Sequence, residues 1–419
     1  MGKIQKAFDE IIKDIPRSFV EKLLIEKISK SEHQIPKKKK TELAKKLSDI
    51  IFSGTLPADG IFLEDSSLGG NVNVRITKDD VEYLNNSVSS FFDDLTNVIN
   101  SSSESIASSI LDDFKETWAE YYLWDEKTTE VFLSNVQARW GEAFFLLKLL
   151  IEISRDIGEE TSEKLRRSRA KKRIPYARLA LVKLHARACQ VSSEILILLE
   201  NGYANGAVAR WRTLYEIGVV MTLISDGGDV VGKRYLDHEA VAQKQALDEA
   251  LRLDEGDSVK ISKKLRRDTE RYYNSVLELY GRSFGGAYGW AAEYLGSTRP
   301  TFKDLEQAAG RVDMRSTYKM ASYSVHAGVR GITSSHSHID YFTDEIIAGA
   351  SNAGMAEPGE NTAFNLTLAT GLLFRTKMKM DEIVKLRVLV MLRDEIVHEF
   401  RRAQRQLKKD HARSQRQSD

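Results

Sequence analysis

The prolines of this chain constrain its fold most strongly, because each lies where helical periodicity starts, stops or has not begun. They are Pro16, Pro36, Pro57, Pro175, Pro300 and Pro358. Alternating β-branched runs are nearly absent, and the one strand candidate, residues 71–76, lies in a Gly- and Asp-rich stretch. We therefore predict an all-α fold, a multi-helix bundle built from antiparallel helical hairpins, with a small irregular or β insertion near residues 54–77.

The composition excludes several classes of protein. Lys and Arg number 62 against 61 Asp and Glu, and 42% of the 419 residues are hydrophobic, which excludes a disordered chain and argues against a general nucleic-acid coat. The single cysteine, Cys189, excludes an intramolecular disulfide. The first residues have no apolar signal core, and no apolar stretch approaches the roughly 20 residues of a membrane span. We expect a cytoplasmic protein with no membrane partner.

A basic stretch at residues 166–173, directly before Pro175, suggests a domain boundary. We interpret it as a solvated linker, because the interleaved aromatics of a single-strand binding patch are missing. It separates an N-terminal helical region, residues 1–165, with a regulatory or assembly role, from a C-terminal helical domain, residues 166–405. The basic, apolar-poor end, residues 406–419, is predicted to be a disordered tail.

Helical periodicity is clearest just after this boundary. Apolar residues recur every three or four positions over residues 181–198, and Asn201-Gly202 ends the run. Residues 206–224 form the expected antiparallel partner, closed by Gly227-Gly228. We predict further helices near residues 235–253, 260–280, 315–331 and 361–403.

Glu216 lies on a helix that is apolar on almost every side, so we predict that its carboxylate is buried and salt-bridged. Its partner is Arg212, one turn earlier, or Arg393, far along the chain. Arg210 lies at the edge of the apolar stripe that contains Leu214 and Ile217. A structural ion pair and a functional cleft both remain open at this point.

The helix expected from residue 315 carries a polar edge beside its apolar stripe. Arg315, Lys319, Ser322 and His326 follow one another along this edge. His326 is a candidate site residue because an imidazole here is able to reach Glu216 or a ligand phosphate. Lys319 is a candidate ligand-binding residue.

A third candidate lies on the last helix, which is apolar on nearly every side over residues 383–392. Arg393 follows in line with the apolar positions, so its guanidinium needs a carboxylate or a phosphate. Asp394 and His398 are one turn apart, which predicts that the carboxylate orients the imidazole.

Residues 188–216 and the helix at residues 318–331 resemble a bacterial family known only as domain of unknown function 5677. The resemblance spans about the C-terminal 60% of the chain and includes Arg-x-x-x-Glu, here Arg212 to Glu216. The later helix of the family carries Tyr, Ser and His, here Tyr318, Ser324 and His326. Arg212, Glu216 and Tyr318, together with Arg210 and Lys319 from the edges of their helices, form a candidate ligand-binding set.

A looser resemblance is to the HEPN group of helical ribonucleases, whose signature is Arg, a polar residue, a few further residues and then His. Arg393, Asp394 and His398 follow this pattern. In that group two such motifs usually meet in a dimer and cleave RNA without metal, which implies catalytic roles for these residues. The spacing also presents a difficulty, because five residues of unbroken helix place Arg393 and His398 about 140° apart.

Other motifs predict little chemistry. There is no P-loop, no cysteine pair for zinc, and no strand before the glycines near residue 285. His336, His338 and Asp340 are weak metal ligands without a companion, and we interpret them as a polar loop. We therefore expect no metal and no cofactor.

The leading hypothesis is a cytoplasmic bacterial effector that cuts or binds RNA without metal, toxin-like or active in phage defence. RNA is the expected partner, together with a second copy of the chain in a dimer, or another protein. Two alternatives remain open: a non-catalytic interaction module held by a structural ion-pair cluster, and a sensor of a small anionic ligand such as a nucleotide.

Overall fold

The computed structural model describes most of the chain. The described residues are 2–30, 35–53, 61–65, 70–169, 175–253, 261–339, 346–374 and 378–418. These residues are predominantly helical, and the predicted all-α fold is confirmed. Within these ranges no helix combines the length and the apolar character needed to cross a membrane.

The helices and strands follow one another in this order: α1 Gly2–Ser29, α2 Lys37–Phe52, β1 Ile61–Asp65, β2 Gly70–Val74, α3 Lys78–Asp93, α4 Leu95–Arg169, α5 Tyr176–Glu200, α6 Ala204–Asp237, α7 Glu239–Leu253, α8 Lys263–Tyr280, α9 Phe302–Ala308, α10 Arg315–Tyr323, α11 Arg330–Thr333, α12 Ala356–Gly371 and α13 Met380–Ser418. Short 3₁₀ turns lie between α8 and α10.

The chain forms two compact units, residues 1–124 and 125–419. In the first unit, α1, α2 and the end of β2 enclose a small core that includes Leu24, Ile28 and Leu47. The β1–β2 pair is an antiparallel hairpin, and it fulfils the prediction of a small β insertion. A capping box between Thr77 and Asp80 begins α3, since each residue accepts a hydrogen bond from the other's backbone N–H.

The second unit is built around the α5–α6 hairpin, which the periodicity predicted. Asn201 caps α5, and Gly228, at φ 61°, kinks α6 where the Gly227-Gly228 stop was expected. Trp140 and Phe144 of α4 are fully or almost fully buried, as are Trp211 of α6 and Phe400 of α13. A single apolar core therefore joins the later part of α4 to α5, α6, α12 and α13.

Several predicted helix boundaries differ from the structure. Pro16 lies inside α1. The segment predicted at residues 361–403 is two helices, α12 and α13. The helix predicted at residues 315–331 ends at Tyr323. Beyond it the N–H of Gly328 bonds to the carbonyl of His326 at 2.8 Å, a bond that a continuous helix does not form.

The C-terminal end and the domain boundary also differ from expectation. Residues 406–418 belong to α13, where Leu407 is buried and Asp410 pairs with Arg139 at 2.9 Å, so tertiary contacts hold a segment expected to be disordered. Helix α4 continues up to Arg169, past the boundary proposed at residue 165, because its apolar residues belong to the core of the second unit. The regulatory role proposed for residues 1–165 stays a prediction.

Candidate functional site at the contact of α6 and α10

Arg212 on α6 is the centre of a polar cluster that also contains Glu216, Tyr318 and His326. Its Nε lies 3.2 Å from Oε1 of Glu216, one turn along the same helix. One Nη donates to the Tyr318 hydroxyl at 2.8 Å, and the other lies 3.4 Å from Nε2 of His326. We call these four residues the Arg212 cluster. Residues more than 100 positions apart in the chain thus share one guanidinium.

Tyr318 links the two helices of the Arg212 cluster. Its hydroxyl donates to Oε1 of Glu216 at 2.6 Å, and the Arg212 guanidinium lies 4.8 Å from the centre of its ring. The ring is buried, and burial raises the pKa of Tyr318 above its usual range, with the Glu216 carboxylate adding to the effect. At neutral pH Tyr318 is therefore a fixed hydrogen-bond donor.

Glu216 is paired as predicted but is not buried. Arg212 is its ion-pair partner, and 38% of the Glu216 side chain is exposed. The predicted burial was wrong: Glu216 contacts the short helix α10 through Tyr318, and part of its carboxylate stays open to solvent. Arg393 was wrong as the alternative partner, because its guanidinium binds its neighbour Asp394 at 2.6 Å.

His326 reaches the Arg212 cluster by a different route from the one expected. It follows the end of α10, and its backbone N–H bonds to the carbonyl of Ser322 at 3.1 Å. The residue is exposed, as are Val325 and Val329, which the helical periodicity placed in an apolar stripe. Since Arg212 has only donors, the contact at Nε2 requires the imidazole nitrogen to accept, with the ring proton on Nδ1.

The buried carboxylate of this region is Glu306 on α9, which the sequence reasoning missed. Glu306 has no exposed surface, forms an ion pair with Arg315, and accepts a hydrogen bond from the Tyr215 hydroxyl at 3.0 Å. Burial, followed by this carboxylate, raises the pKa of Tyr215. A sequence signal for α9 did exist, since Thr301 and Asp304 have capping-box spacing and the structure forms that box.

An aromatic layer joins Glu306 to the Arg212 cluster. The ring centres of Tyr215 and Tyr318 are 5.4 Å apart, and Phe302 lies 6.2 Å from the first and 5.0 Å from the second. These rings form the wall behind Arg212 and Glu216. The wall limits the movement of the Tyr318 hydroxyl, so the geometry of the cluster is set by the core.

The other sequence candidates lie outside the Arg212 cluster. Arg210 forms an ion pair with Glu194 on α5 and therefore ties the two helices of the hairpin together. Lys319 is exposed. The predicted contact between Asp394 and His398 was wrong, because Asp394 accepts from Arg393, while His398 is exposed and its Nδ1 lies 3.0 Å from Glu399.

Arg393 faces a cavity of its own. Its guanidinium lies 5.1 Å from the centre of the Phe364 ring, at the edge of a cavity of about 560 Å³ that Arg311 also lines. Arg311 donates to the side-chain oxygen of Asn365 at 3.0 Å. Arg393 therefore packs on α12, as its predicted inward orientation requires. Its side chain is nevertheless partly exposed at the surface, which the prediction did not include.

The polar segment at His336 is structural. The backbone N–H of His336 donates to the side-chain oxygen of Asn205 at 2.9 Å, and its Nε2 lies 3.3 Å from Glu357. Asp340, the third residue of the weak metal hypothesis, lies outside the described residues. In the described part of the chain, no three His, Cys, Asp or Glu side chains come together as a metal site.

Part of the chain, including the Arg212 cluster, matches a known protein family. Residues 178–344 match a family of unknown function (DUF5677). The resemblance to this family is thus confirmed for that segment, which contains all four residues of the Arg212 cluster. The DUF5677 segment ends before α13, so Arg393 and His398 lie outside it. No curated protein and no solved structure matched the chain.

Proposed function

We propose that the Arg212 cluster binds an RNA phosphate and cleaves the adjoining phosphodiester bond without a metal ion. The observation that carries the proposal is the 3.4 Å contact between the Arg212 guanidinium and Nε2 of the exposed His326. A cationic fork and an accepting imidazole are the two groups that metal-independent RNA cleavage needs, one to stabilise charge on phosphorus and one to move a proton.

The reaction starts when a phosphate takes the place of His326 as a partner of Arg212. The guanidinium binds the phosphate oxygens, and Nε2 of His326 is released as a base. It accepts the proton of the 2′-hydroxyl, whose oxygen attacks phosphorus while the bond to the 5′ oxygen breaks. The leaving oxygen takes a proton from water. The products are a 2′,3′-cyclic phosphate and a 5′-hydroxyl.

Glu216 and Tyr318 are positioning residues in this proposal. The Glu216 carboxylate forms an ion pair with Nε of Arg212, and the Tyr318 hydroxyl donates a hydrogen bond to Oε1 of Glu216 at 2.6 Å. Both interactions restrict the orientation of the Arg212 guanidinium. Because the pKa of Tyr318 is raised, its hydroxyl keeps its proton and remains the donor to Glu216. The fork is thus oriented before substrate arrives.

The surface around His326 suits a single-stranded substrate. Tyr323, Val325 and Val329 are all exposed and lie within three residues of His326 in the sequence, and Arg330 follows them. Sequence-tolerant RNA contacts combine such apolar or aromatic surfaces with a nearby cation. We infer that the unpaired bases flanking the scissile phosphate contact this segment.

The test compares the cleavage of a labelled single-stranded RNA by the wild-type protein and His326→Ala, in buffer containing EDTA. His326→Ala is expected to cut about 100-fold more slowly or worse, in keeping with the usual contribution of a catalytic acid or base. His398→Ala, an exposed histidine on α13, is the matched control and should cut normally. Cleavage that survives in His326→Ala, or that disappears only in His398→Ala, contradicts the proposal.

If the same residues only stabilise the fold, the variants should behave differently. Arg212 joins α6 to α10, so the cluster alternatively holds the two helices together in a non-catalytic interaction module. In that case Arg212→Lys lowers the melting temperature while RNA cleavage is absent from every form of the protein. In our proposal His326→Ala keeps the wild-type melting temperature, because His326 is exposed, and loses only cleavage.

A cellular role as a toxin-like or phage-defence effector is an extension of the cleavage proposal. Induced expression of the wild-type chain in a bacterial host should then arrest growth and fragment RNA, whereas His326→Ala should do neither. Growth arrest by both proteins alike would count against RNA cleavage as its cause.

A further inference from the structure

The last turns of helix α13 carry a strong local excess of positive charge. Residues 401–416 contain seven Lys and Arg against one acidic residue, Asp410, whereas the whole chain is balanced at 62 against 61. This segment is helical, so the order of its residues fixes where each charge lies around the helix axis. A local excess of this size in a nearly neutral chain indicates an electrostatic contact surface.

Four of these cations form a row along one side of α13. They are spaced three or four residues apart and are Arg402, Arg405, Lys409 and Arg413. At 100° per residue they lie within an arc of about 80°, and they extend over about 16 Å of the helix axis. All four residues are exposed. We call these four residues the α13 row.

Three members of the α13 row have no carboxylate partner. Arg402 forms an ion pair with Glu399 at 2.6 Å. Arg405, Lys409 and Arg413 form no ion pair within the part of the chain that the structure describes. Asp410 does not neutralise them, because its carboxylate binds Arg139 of α4 at 2.9 Å. The row therefore presents cations whose countercharge must come from outside the chain.

The α13 row also forms one wall of a polar cavity between α4 and α13. Arg402, Arg405 and Lys409 line this cavity of about 620 Å³ on the α13 side, and Asn135 and Arg139 line it on the α4 side. All of these residues belong to the second compact unit. Guanidinium, ammonium and amide groups are the side-chain donors that bind phosphate oxygens. The cavity thus adds donors from a second helix to the same surface.

We propose that the α13 row and this cavity bind the phosphate backbone of single-stranded RNA. Residues 401–416 include no Phe, Tyr or Trp on which bases could stack, so the contact holds phosphates and does not select a sequence. A membrane surface fits less well, because the apolar side of this helix, with Phe400 and Leu407, is buried in the core and is not available to enter a bilayer. RNA is named instead of DNA because the proposed function acts on RNA, and the proposal rests on that function in this choice alone.

The test measures the binding of a labelled single-stranded 2′-O-methyl RNA by fluorescence anisotropy. This RNA lacks the hydroxyl that the proposed cleavage requires, so binding is measured without cutting. The row variant combines Arg405→Gln, Lys409→Gln and Arg413→Gln, and it should bind about 100-fold more weakly in roughly 0.1 M salt. The slope of log K against log salt should become smaller by about 2, since each single-strand phosphate contact contributes about 0.7. Lys409→Gln alone should remove about 0.7 of the slope.

The matched control removes the same charge from another exposed helix segment. It combines three substitutions at the start of α8: Lys263→Gln, Lys264→Gln and Arg267→Gln. This variant should bind like the wild-type protein and keep the wild-type slope. Circular dichroism should show unchanged helix content in both triple variants, because none of the six side chains forms an ion pair within the described residues.

The outcomes separate RNA binding at α13 from cleavage at the Arg212 cluster. If the row variant loses binding while His326→Ala still cuts like wild type, the cleavage proposal fails and the binding proposal stands. Equal affinity of the row variant and the wild-type protein, or equal weakening by the α8 control, overturns the binding proposal whatever the cleavage assay shows. Binding to phosphatidylserine vesicles without binding to RNA overturns it as well.

Discussion

At the scale of single residues, burial separates the polar side chains that set stability from those free to act on a ligand. His185, Cys189 and Glu306 are buried, whereas Glu216 is partly exposed and His326 is open to solvent. A buried titratable group affects folding through its pKa, since the unfolded chain restores its ordinary value. An exposed group in a preset geometry affects folding little and remains available for chemistry.

His185 should make stability depend on pH. Burial lowers its pKa to about 4, and its Nε2 donates to the Thr370 hydroxyl at 3.0 Å, because that hydroxyl already donates to the Leu366 carbonyl. Below about pH 6.5 the unfolded chain binds a proton that the folded chain refuses, so stability present above that pH should fall by about 3 kcal/mol on reaching pH 4. Urea unfolding of wild type and His185→Gln measures this difference. Parallel pH profiles for the two proteins would contradict it.

Glu306 and Glu216 form a matched pair for testing burial. Glu306→Ala removes a fully buried carboxylate and strands Arg315, so we expect a loss of about 3 to 5 kcal/mol. Glu216→Ala removes a partly exposed partner and should cost about 1 kcal/mol or less. Chemical denaturation of the two variants under one condition gives the comparison. Equal losses would show that Glu216 is more enclosed than the structure places it.

At the scale of elements, the contacts between helices depend on where small residues let them approach. Helix α12 carries Gly359 against the Phe400 ring of α13, and a Cβ built there would lie 2.2 Å from the ring carbon Cζ. Phe400 is fully buried, and Trp140 and Phe144 of α4 pack against it with 6.2 and 6.0 Å between ring centres. The ring therefore has no free space to enter.

Gly359→Ala should separate α12 from α13 despite the higher helix propensity of alanine. We expect a loss of about 1 to 3 kcal/mol from overpacking. Gly371→Ala is the control at the other end of α12, where the nearest atom would be Cδ1 of Leu386 at 3.4 Å, and it should be close to neutral. Thermal unfolding followed by circular dichroism distinguishes the two. A stable Gly359→Ala protein would mean that Phe400 can move.

At the scale of the whole molecule, the two compact units have separate apolar cores. The core of residues 1–124 draws on α1, α2 and β2, and that of residues 125–419 contains the DUF5677 segment and the Arg212 cluster. The two cores have no buried residue in common among the described parts of the chain. A unit with its own core is expected to fold by itself.

A fragment covering residues 125–419 should therefore fold alone. We expect it to show a cooperative thermal transition and to keep the wild-type fluorescence of its buried tryptophans, Trp140, Trp211 and Trp290. A fragment without a cooperative transition would show that residues 1–124 stabilise the second unit.

The features that could be predicted from the sequence are those that depend on neighbours within a few turns of helix. Periodicity predicted the α5–α6 hairpin, and the four-residue spacing predicted the Arg212–Glu216 pair. These hold because the helical repeat fixes which side chains meet on one helix, whatever the rest of the chain does.

Which distant segments meet could not be predicted, because it depends on how the whole chain packs. The tertiary structure placed His326 and Tyr318 on Arg212 across more than 100 residues, buried Glu306 instead of Glu216, and left His398 exposed and Arg393 on Asp394. Helical periodicity gives each helix an apolar face but does not say which other helix covers it or how completely. That depends on how the aromatic rings and small residues of the core fit together, and the burial of every polar side chain follows from that fit.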